Sequence, residues 1–311
     1  MSARAWVTFA AVSVLWGIPY LFIKIAVEDL SPGFVAWGRV VIAAVVLLPI
    51  AWKLGALRGL RDRAGAVVAY AACEIAVPFF LIAAGEQYVS SSLASILIST
   101  MPLMVALLAL RFVPGDRPTG VRLVGLVLGL VGVVALLGID VGGNGNELLG
   151  AACVLVATVG YASATIIIET RLTHVHPLGP VTASVILSSL VLAPIAAFSW
   201  PSSTPAGDAI ASVVVLGVGC TAIALVLFFV LIREAGASRA SVITYINPVV
   251  AVTLGVTLLD ESLGAAAIVG LLLILAGSWL ATDGRLPPGL TRRLRPRGPE
   301  RRTRPPAARV R

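Results

Sequence analysis

Apolar residues run along this chain in stretches of about 20, separated by short polar segments. Because a helical residue rises about 1.5 Å, such a stretch can cross the roughly 30 Å hydrocarbon core of a bilayer. The pattern therefore predicts ten transmembrane helices, five before Asp140 and five after Glu147. Their approximate ranges are 6–27, 33–52, 64–84, 89–110, 119–138, 148–168, 179–199, 209–232, 239–259 and 263–281.

The second half of the chain repeats the pattern of the first. Residues 94–102 read ASILISTMP, and residues 240–248 read ASVITYINP. Each copy holds an odd number of spans, so the second must cross the membrane in the opposite orientation. The predicted fold is an all-α integral membrane protein with ten transmembrane helices as two inverted five-helix repeats, an arrangement typical of secondary transporters. The expected divisions are a first repeat at 1–138, an outer linker at 139–147, a second repeat at 148–282 and a tail at 283–311.

Composition and charge indicate a membrane protein and assign its sides. The chain is 59% apolar and 12% charged, with a mean hydropathy of +1.01, whereas soluble domains average about 45–50% and 25%. If the N-terminus is cytoplasmic, every Lys and Arg outside the spans lies on the cytoplasmic side, and the outer loops carry only acidic charge. This bias follows the positive-inside rule. It predicts the inner or plasma membrane, with both termini in the cytoplasm.

The segment after the last span is rich in Arg and Pro and has no apolar periodicity. Such a composition predicts a disordered cytoplasmic tail that binds the anionic headgroups of membrane lipids. An Arg-rich run can also bind nucleic acid. Beside the inner leaflet, however, lipid is the expected partner, and we expect no nucleic-acid binding.

Several motifs resemble those of the EamA-type branch of the drug/metabolite transporter superfamily. They are Leu15-Trp16-Gly17 with Lys24 at the far end of helix 1, the paired Ala-Ser-x6-Pro helices 4 and 9, and the acidic turn Asp260-Glu261 before a Gly-rich final helix. The resemblance covers about residues 5–282. That family often carries a Glu after helix 4, where residues 113–116 here read VPGD. The resemblance implies a transporter that exports amino acids, related metabolites or drugs, and it does not name the substrate.

Two basic residues lie within predicted spans, where charges are costly and usually face a cavity or a partner. Lys24 precedes Glu28 by one helical turn. It forms either an interfacial ion pair with Glu28 or a cavity-facing site for an anionic group such as a carboxylate. Arg39 is expected to act as an outer gate or structural clasp, with direct substrate binding as the alternative. Its candidate partners are Glu28, Asp29 and Glu86.

Glu74 lies in the middle of predicted helix 3. Desolvation disfavours the charged form of a carboxyl group, and a proton carrier needs a group that binds and releases its proton near physiological pH. Glu74 is therefore the candidate proton site or a contact for a substrate amine. The alternative is a permanently protonated acid that bonds a neighbouring backbone or hydroxyl group. Glu86, at the outer end of helix 3, is expected to be a solvated residue at the mouth.

Prolines at matching mid-helix positions predict the substrate pathway. Pro102 and Pro248 each remove a backbone hydrogen bond and kink their helix. The freed carbonyl is tolerated where it faces protein or a water-filled cavity. Polar residues beside the prolines and a matched aromatic pair complete the expected pathway. These are Ser99, Thr100, Tyr245 and Asn247 beside the prolines, and Trp16 and Tyr161 as cavity walls or, alternatively, interface anchors.

Other chemistry is not indicated by the sequence. The chain has no nucleotide-binding loop, its His174-x-His176 pair has no nearby acid or Cys, and its three cysteines lack CxxC spacing. We therefore expect no catalytic residues, no metal and no cofactor. The Gly125-x3-Gly129 pattern can serve packing within the chain or a homodimer contact.

The sequence thus predicts a secondary transporter that works by alternating access and is not an enzyme. Its expected cargo is a small metabolite such as an amino acid, exported with proton coupling through Glu74. One alternative is a multidrug exporter of lipophilic cations. Another is a membrane-embedded enzyme acting on a lipid-linked substrate, which would need a cluster of His, Asp or Glu near one interface.

Overall fold

A computed structural model describes residues 1–112, 120–139, 145–235, 240 and 242–281. Within these residues all regular structure is helical. Eight helices are long and apolar enough to cross a membrane, and two further apolar helices are shorter. In chain order they are α1 Ala3–Val27, α2 Pro32–Lys53, α3 Arg61–Gly85, α4 Ser91–Arg111, α5 Val121–Gly138, α6 Gly145–Arg171, α7 Leu178–Phe198, α8 Gly207–Ala235, α9 Ile243–Leu258 and α10 Ala265–Ala281.

These helices coincide with the apolar stretches of the sequence, and they form a multi-pass integral membrane protein. Helices α9 and α10 have 16 and 17 residues, fewer than the roughly 20 that a full span needs. The predicted Arg-rich tail, the segment 113–116 and most of the predicted outer linker lie outside the described residues.

Prolines accompany two interruptions in the helices. Helix α1 is broken at Ile18 and resumes at Pro19, and α4 is broken at 99–100, just before Pro102. A proline lacks an amide hydrogen, so it can start a helical segment but cannot continue the bonds of the preceding one. Pro248 lies inside the continuous helix α9. The matched prolines therefore have unequal effects on their helices.

Helices α3 and α8 each contain a π-helical segment, at Ala72–Ala76 and Leu216–Ile223. In the second segment, Thr221 Oγ1 donates to the Leu216 carbonyl at 2.8 Å, five residues earlier in the chain. Glu74 occupies the middle of the first segment. π-Helical turns are rare and often mark functional sites, so both helices carry an irregularity where they cross the apolar bundle.

Contacts between helix termini define two ends of the bundle. At the first end, the start of α1 meets the end of α8, and the start of α3 meets the end of α6. At the second end, the end of α1 meets the turn after α3, and the start of α2 meets the end of α7. The contacts are Arg4 Nε–Glu234 Oε1 (3.1 Å) and Arg63 with the Arg171 carbonyl at the first end, and Lys24 Nζ–Glu86 O (2.7 Å) and Ser31 Oγ–Ser199 Oγ (2.9 Å) at the second.

The two ends differ in charge. We call the first the basic end, because the loops and helix termini there carry Arg4, Lys53, Arg58, Arg61, Arg63, Arg111, Arg122, Arg171 and Arg233. We call the second the acidic end, because it carries Glu28, Asp29, Glu86, Glu147, Asp208, Asp260 and Glu261. Helices α1 and α3 run from the basic to the acidic end, whereas α6 and α8 run the opposite way.

The two halves of the chain pack against each other through reciprocal helix pairs. Helix α5 packs on α10, and α2 packs on α7. Helix α1 contacts α8 and α9, and α6 contacts α3 and α4. Helices α4 and α9 also contact each other. Each of these contacts between the halves therefore has a counterpart in which the corresponding helices exchange roles, or pairs two corresponding helices with each other.

Glycines allow α5 and α10 to approach within backbone contact. A Cβ added to Gly277 would lie 2.4 Å from the backbone nitrogen of Gly129, and one added to Gly125 would lie 2.7 Å from the carbonyl oxygen of Gly277. Small residues permit such close crossings in membranes. The Gly125-x3-Gly129 pattern therefore packs within the chain. These contacts do not test a homodimer through this pattern.

We predict that Gly277→Val destabilises the protein by about 3 kcal/mol, because the added side chain would overlap backbone atoms that cannot move aside. Gly138→Val is the matched control, since a Cβ at Gly138 meets nothing within 4 Å. Thermal unfolding in detergent measures the difference. Equal midpoints for the two variants would contradict the close crossing of α5 and α10.

Candidate functional site

Lys24 ties α1 to the turn between α3 and α4 at the acidic end. Its Nζ donates to the carbonyl of Glu86 at 2.7 Å and to that of Val89 at 3.0 Å. Glu28 is exposed, and the ion pair between Lys24 and Glu28, one of the two interpretations of the sequence, is not formed. The partly buried ammonium group instead holds backbone carbonyls that follow the end of α3.

Glu86 is fully buried, with 0% of its surface exposed. The expectation that it is a solvated mouth residue is therefore wrong. Both carboxyl oxygens lack a hydrogen-bond partner within the described part of the chain. Lys24 of α1 bonds the Glu86 carbonyl, and Glu261 from the turn after α9 interacts electrostatically with the carboxyl group, so other elements of the bundle surround this helix end.

Arg39 is also buried, with 7% exposure, where α2 meets α8 and α3. Its Nε donates to Thr221 Oγ1 at 2.8 Å, and its guanidinium lies 3.8 Å from the centroid of the Phe79 ring. The predicted ion pair with Glu28, Asp29 or Glu86 is not formed. Arg39 nevertheless interacts electrostatically with Glu86. A hydroxyl on the π-helical segment of α8 thus takes the place of the expected acid.

Glu261 was not among the site residues selected from the sequence, although it belongs to the acidic turn after α9. Its carboxylate accepts hydrogen bonds from Ser91 N (2.7 Å), Ser92 N (3.0 Å) and Ser92 Oγ (2.5 Å). A carboxylate at a helix N-terminus satisfies free amide groups and complements the helix dipole. We call Glu261, Ser91 and Ser92 the acidic-end latch, since they join the end of α9 to the start of α4.

Gly255 makes room for this latch. A Cβ there would lie 2.4 Å from Glu261 Oε2 and 2.5 Å from Ser92 Oγ. The turn after α9 also places Asp260 at a φ of 52°, a left-handed conformation that Asp and Asn adopt more readily than most residues. The left-handed conformation of Asp260 and the lack of a side chain at Gly255 therefore allow the Glu261 carboxylate to reach the start of α4.

Polar residues also meet in the middle of the bundle. Glu74, on the π-helical segment of α3, and Tyr161, on α6, are partly buried and interact electrostatically. Tyr161 interacts in the same way with Arg39 of α2. Three helices thus contribute an acid, a phenol and a guanidinium to one region of a largely apolar bundle. The three groups interact through their charges alone, because no hydrogen bond or ion pair joins them within the described residues.

The two hydroxyls beside Pro102 bond backbone carbonyls of their own helix and do not face an open substrate pathway. Ser99 Oγ donates to the Ile96 carbonyl and Thr100 Oγ1 to the Leu97 carbonyl, both at 2.6 Å, and both residues are buried. These bonds satisfy carbonyl groups where α4 breaks. Ser99 and Thr100 therefore stabilise the interruption, and the prediction that they offer donors to a substrate has no support in this structure.

The remaining predicted residues lie where α1, α8 and α9 pack. The Trp16 ring packs at a tilt of 49° against that of Phe228 of α8, with 4.6 Å between ring centroids. With its amide oriented to satisfy its neighbours, Asn247 Nδ2 donates to the carbonyls of Ser13 (3.2 Å) and Ile243 (3.0 Å). Tyr245 is partly buried and Pro248 is buried. Trp16 thus joins α1 to α8, and Asn247 joins α9 to α1.

An open cavity of ≈ 370 Å³ lies beside the latch at the acidic end. Its lining includes Tyr88, Ser90, Glu147 and Leu263. The cavity borders the turn after α3, the start of α6 and the loop between α9 and α10. The latch therefore lies next to space that opens at the acidic end of the bundle.

Comparisons with other proteins agree with this architecture. The chain is 29% identical over 282 residues to an uncharacterized transporter of Archaeoglobus fulgidus, covering 91% of this chain and 100% of that protein. It is 28% identical over 288 residues to the uncharacterized inner membrane transporter YedA of Escherichia coli, covering 88% of this chain and 89% of YedA. A crystal structure with 21% identity matches at a TM-score of 0.64, over 94% of this chain and 99% of that chain, which shows a shared fold.

The family described as EamA-like transporters matches twice, at residues 4–138 and at residues 148–282. The two matches cover most of the sequence and contain the helices, the latch and the buried polar residues described above. The protein is therefore a membrane transporter and not an enzyme. It belongs to the EamA-like transporter family.

Proposed function

We propose that this transporter exports a small zwitterionic or amphipathic metabolite, such as an amino acid, by alternating access. The observation that carries the proposal is the electrostatic interaction of Tyr161 with both Glu74 and Arg39 within the apolar bundle. Polar and ionisable residues inside a membrane are costly and usually mark a pathway for substrate or protons. An acid and a guanidinium in one region suit a cargo with both an amine and a carboxylate.

The proposed architecture is two inverted five-helix repeats, 1–138 and 148–282. Three observations support it: the family matches the two halves separately, the most extensive contacts between the halves are reciprocal, and α1 and α6 run in opposite directions. Paired π-helical segments in α3 and α8 add a fourth. In such carriers, the repeats move against each other around a site near the midplane.

We further propose that the basic end faces the cytoplasm and the acidic end faces outward. The positive-inside rule supports this orientation, and the description of YedA as an inner membrane transporter supports the inner membrane as location. Both termini would then be cytoplasmic. The Arg-rich tail at 283–311 would bind anionic lipid headgroups beside the inner leaflet.

Glu74 is the proposed proton site for coupled export. We expect Glu74→Gln to reduce export under a pH gradient to the rate measured without one, because a glutamine cannot carry a proton. Proteoliposomes tested with a panel of amino acids and cationic dyes, with and without a gradient, provide the measurement. Glu169→Gln is the matched control, since Glu169 is an exposed acid near the end of α6.

Each result of that panel has a defined meaning. Gradient-stimulated flux of amino acids that is lost only in Glu74→Gln supports the proposal. Flux of lipophilic cations alone would favour a multidrug exporter. Unchanged gradient dependence in Glu74→Gln would leave Glu74 as a structural acid and refute its role in coupling.

A further inference from the structure

Glu86 is an acid that the proposed transport function does not use. It is the buried acid at the acidic end, and both of its carboxyl oxygens lack hydrogen-bond partners within the described residues. A buried polar atom without a partner costs on the order of 1–3 kcal/mol, and an ionised group costs more. A native position with this property requires a physical explanation.

The cations near Glu86 are committed to other groups. Lys24 Nζ donates to the carbonyls of Glu86 and Val89, and Arg39 Nε donates to Thr221 while its guanidinium covers Phe79. Neither makes an ion-pair contact with the Glu86 carboxyl. An ionised Glu86 would therefore be buried without a donor, which favours the neutral acid in this closed arrangement.

The other neighbours do not supply a donor either. Glu261, from the turn after α9, is an acid and interacts repulsively with Glu86, and Tyr20 of α1 lies within electrostatic range. From α6, the groups packed against the adjacent Gly85 are the carbonyl of Gly150 and the side chains of Val154 and Cys153. Among the described residues, the surroundings thus hold two cations that bond other groups, one further acid, one phenol, one cysteine and apolar groups.

We propose that Glu86 is the proton-binding site of a gate at the acidic end, distinct from Glu74. This inference rests on the proposed alternating-access function. With the gate closed, the carboxyl is buried and neutral. When the bonds of Lys24 and the acidic-end latch separate, water reaches Glu86, its O–H bond breaks, and the proton passes to outside water. One proton is released for each opening.

The sign of the pH effect follows directly. The closed gate binds one proton that the open gate releases, so raising the external pH favours opening and lowering it favours closure. Acid outside the cell would hold the gate shut. This effect is regulatory at the acidic end, and it does not require Glu86 to deliver a proton to the cytoplasm.

A cysteine at position 91 reports on this gate. Ser91 is 1% exposed and its hydroxyl has no partner within the described residues, so Ser91→Cys removes no side-chain hydrogen bond and keeps the backbone donor to Glu261. The natural cysteines are first replaced. A membrane-impermeant maleimide applied outside then labels position 91 only when the gate opens. The exposed loop position in Ser203→Cys corrects for the pH dependence of the thiol reaction itself.

We expect corrected labelling of Ser91→Cys to rise with external pH by up to about tenfold per unit, since one proton leaves per opening. Adding Glu86→Gln, a neutral mimic of the protonated acid, should give low labelling that does not respond to pH. Glu86→Leu should abolish the response as well, which covers a failure of either variant to fold. Glu28→Gln, at an exposed acid of the same end, should retain the response.

Two outcomes would overturn the proposal. One is a parent protein whose corrected labelling ignores pH, and the other is a pH response that survives in Glu86→Gln or Glu86→Leu. Substrate flux separates this inference from the proposed function. Transport with labelling that ignores pH refutes the Glu86 gate alone. A Glu86-dependent response without flux of any tested substrate refutes the proposed cargo and leaves the proton site standing.

Discussion

Replacing Glu261 by alanine is expected to reduce transport at least tenfold and to leave the acidic end open. The carboxylate accepts three hydrogen bonds from Ser91 and Ser92, and the substitution would leave two backbone donors at the start of α4 without their acceptor. Hydrogen bonds to charged groups contribute about 1.5–3 kcal/mol each. A loss of about 3 kcal/mol from the closed state corresponds to about a hundredfold change in the gate equilibrium.

Asp260→Asn is the matched control for Glu261→Ala. Asp260 is exposed, and asparagine tolerates its positive φ, so the substitution removes one neighbouring charge without touching the latch. Flux and the labelling of Ser91→Cys are measured in both variants. Full transport activity in Glu261→Ala, without labelling of the cysteine at position 91, would show that the latch does not hold α4 and α9 together.

Lys24→Met is the second substitution with a large expected effect. Methionine keeps the length and most of the apolar contact of lysine, but it cannot donate to the carbonyls of Glu86 and Val89. Two charge-assisted bonds would be lost, at about 1.5–3 kcal/mol each. We expect at least a tenfold loss of transport, together with increased labelling at position 91.

Glu28→Gln distinguishes the two accounts of Lys24. If the ammonium acted through an ion pair with Glu28, removal of that acid would reproduce the defect of Lys24→Met. The structure predicts near-normal transport in Glu28→Gln, because Glu28 is exposed and Lys24 donates elsewhere. Equal defects in the two variants would restore the ion-pair interpretation.

Helix positions followed from the sequence because the bilayer fixes the length of an apolar span. The stretch predicted at 33–52 is Pro32–Lys53 in the structure, and that at 263–281 is Ala265–Ala281. The grouping of basic residues at one end also followed, since it is a property of loops. These features are local or depend on the membrane alone.

The sites required tertiary information. The groups around Glu86 come from α1 and from the turn after α9, and the partner of Arg39 is Thr221, 182 residues away in the chain. The sequence pattern indicated acids as partners of Arg39, whereas the observed partner is the Thr221 hydroxyl on the π-helical segment of α8. Ion pairs were overestimated because neutral groups can satisfy a buried cation as well.

Some local signals were available in the sequence. Serine and threonine hydroxyls within helices commonly bond carbonyls three or four residues earlier, which is what Ser99 and Thr100 do. The run Ser90–Ser92 at the start of α4 and the acid after α9 were predicted on the same side of the membrane. An acid facing a helix start at the same surface would have indicated the latch.

The central claim is that two halves of opposite orientation surround the pathway, and matched positions in the two halves test it. Arg58 follows α2 and Ser203 follows α7, and both side chains are exposed. Single cysteines are introduced at Arg58 and Ser203 in a cysteine-free protein and treated in intact cells with an impermeant maleimide. The account predicts that Ser203→Cys reacts from outside and that Arg58→Cys reacts only after the membrane is permeabilised. Reaction of both from the same compartment would contradict it.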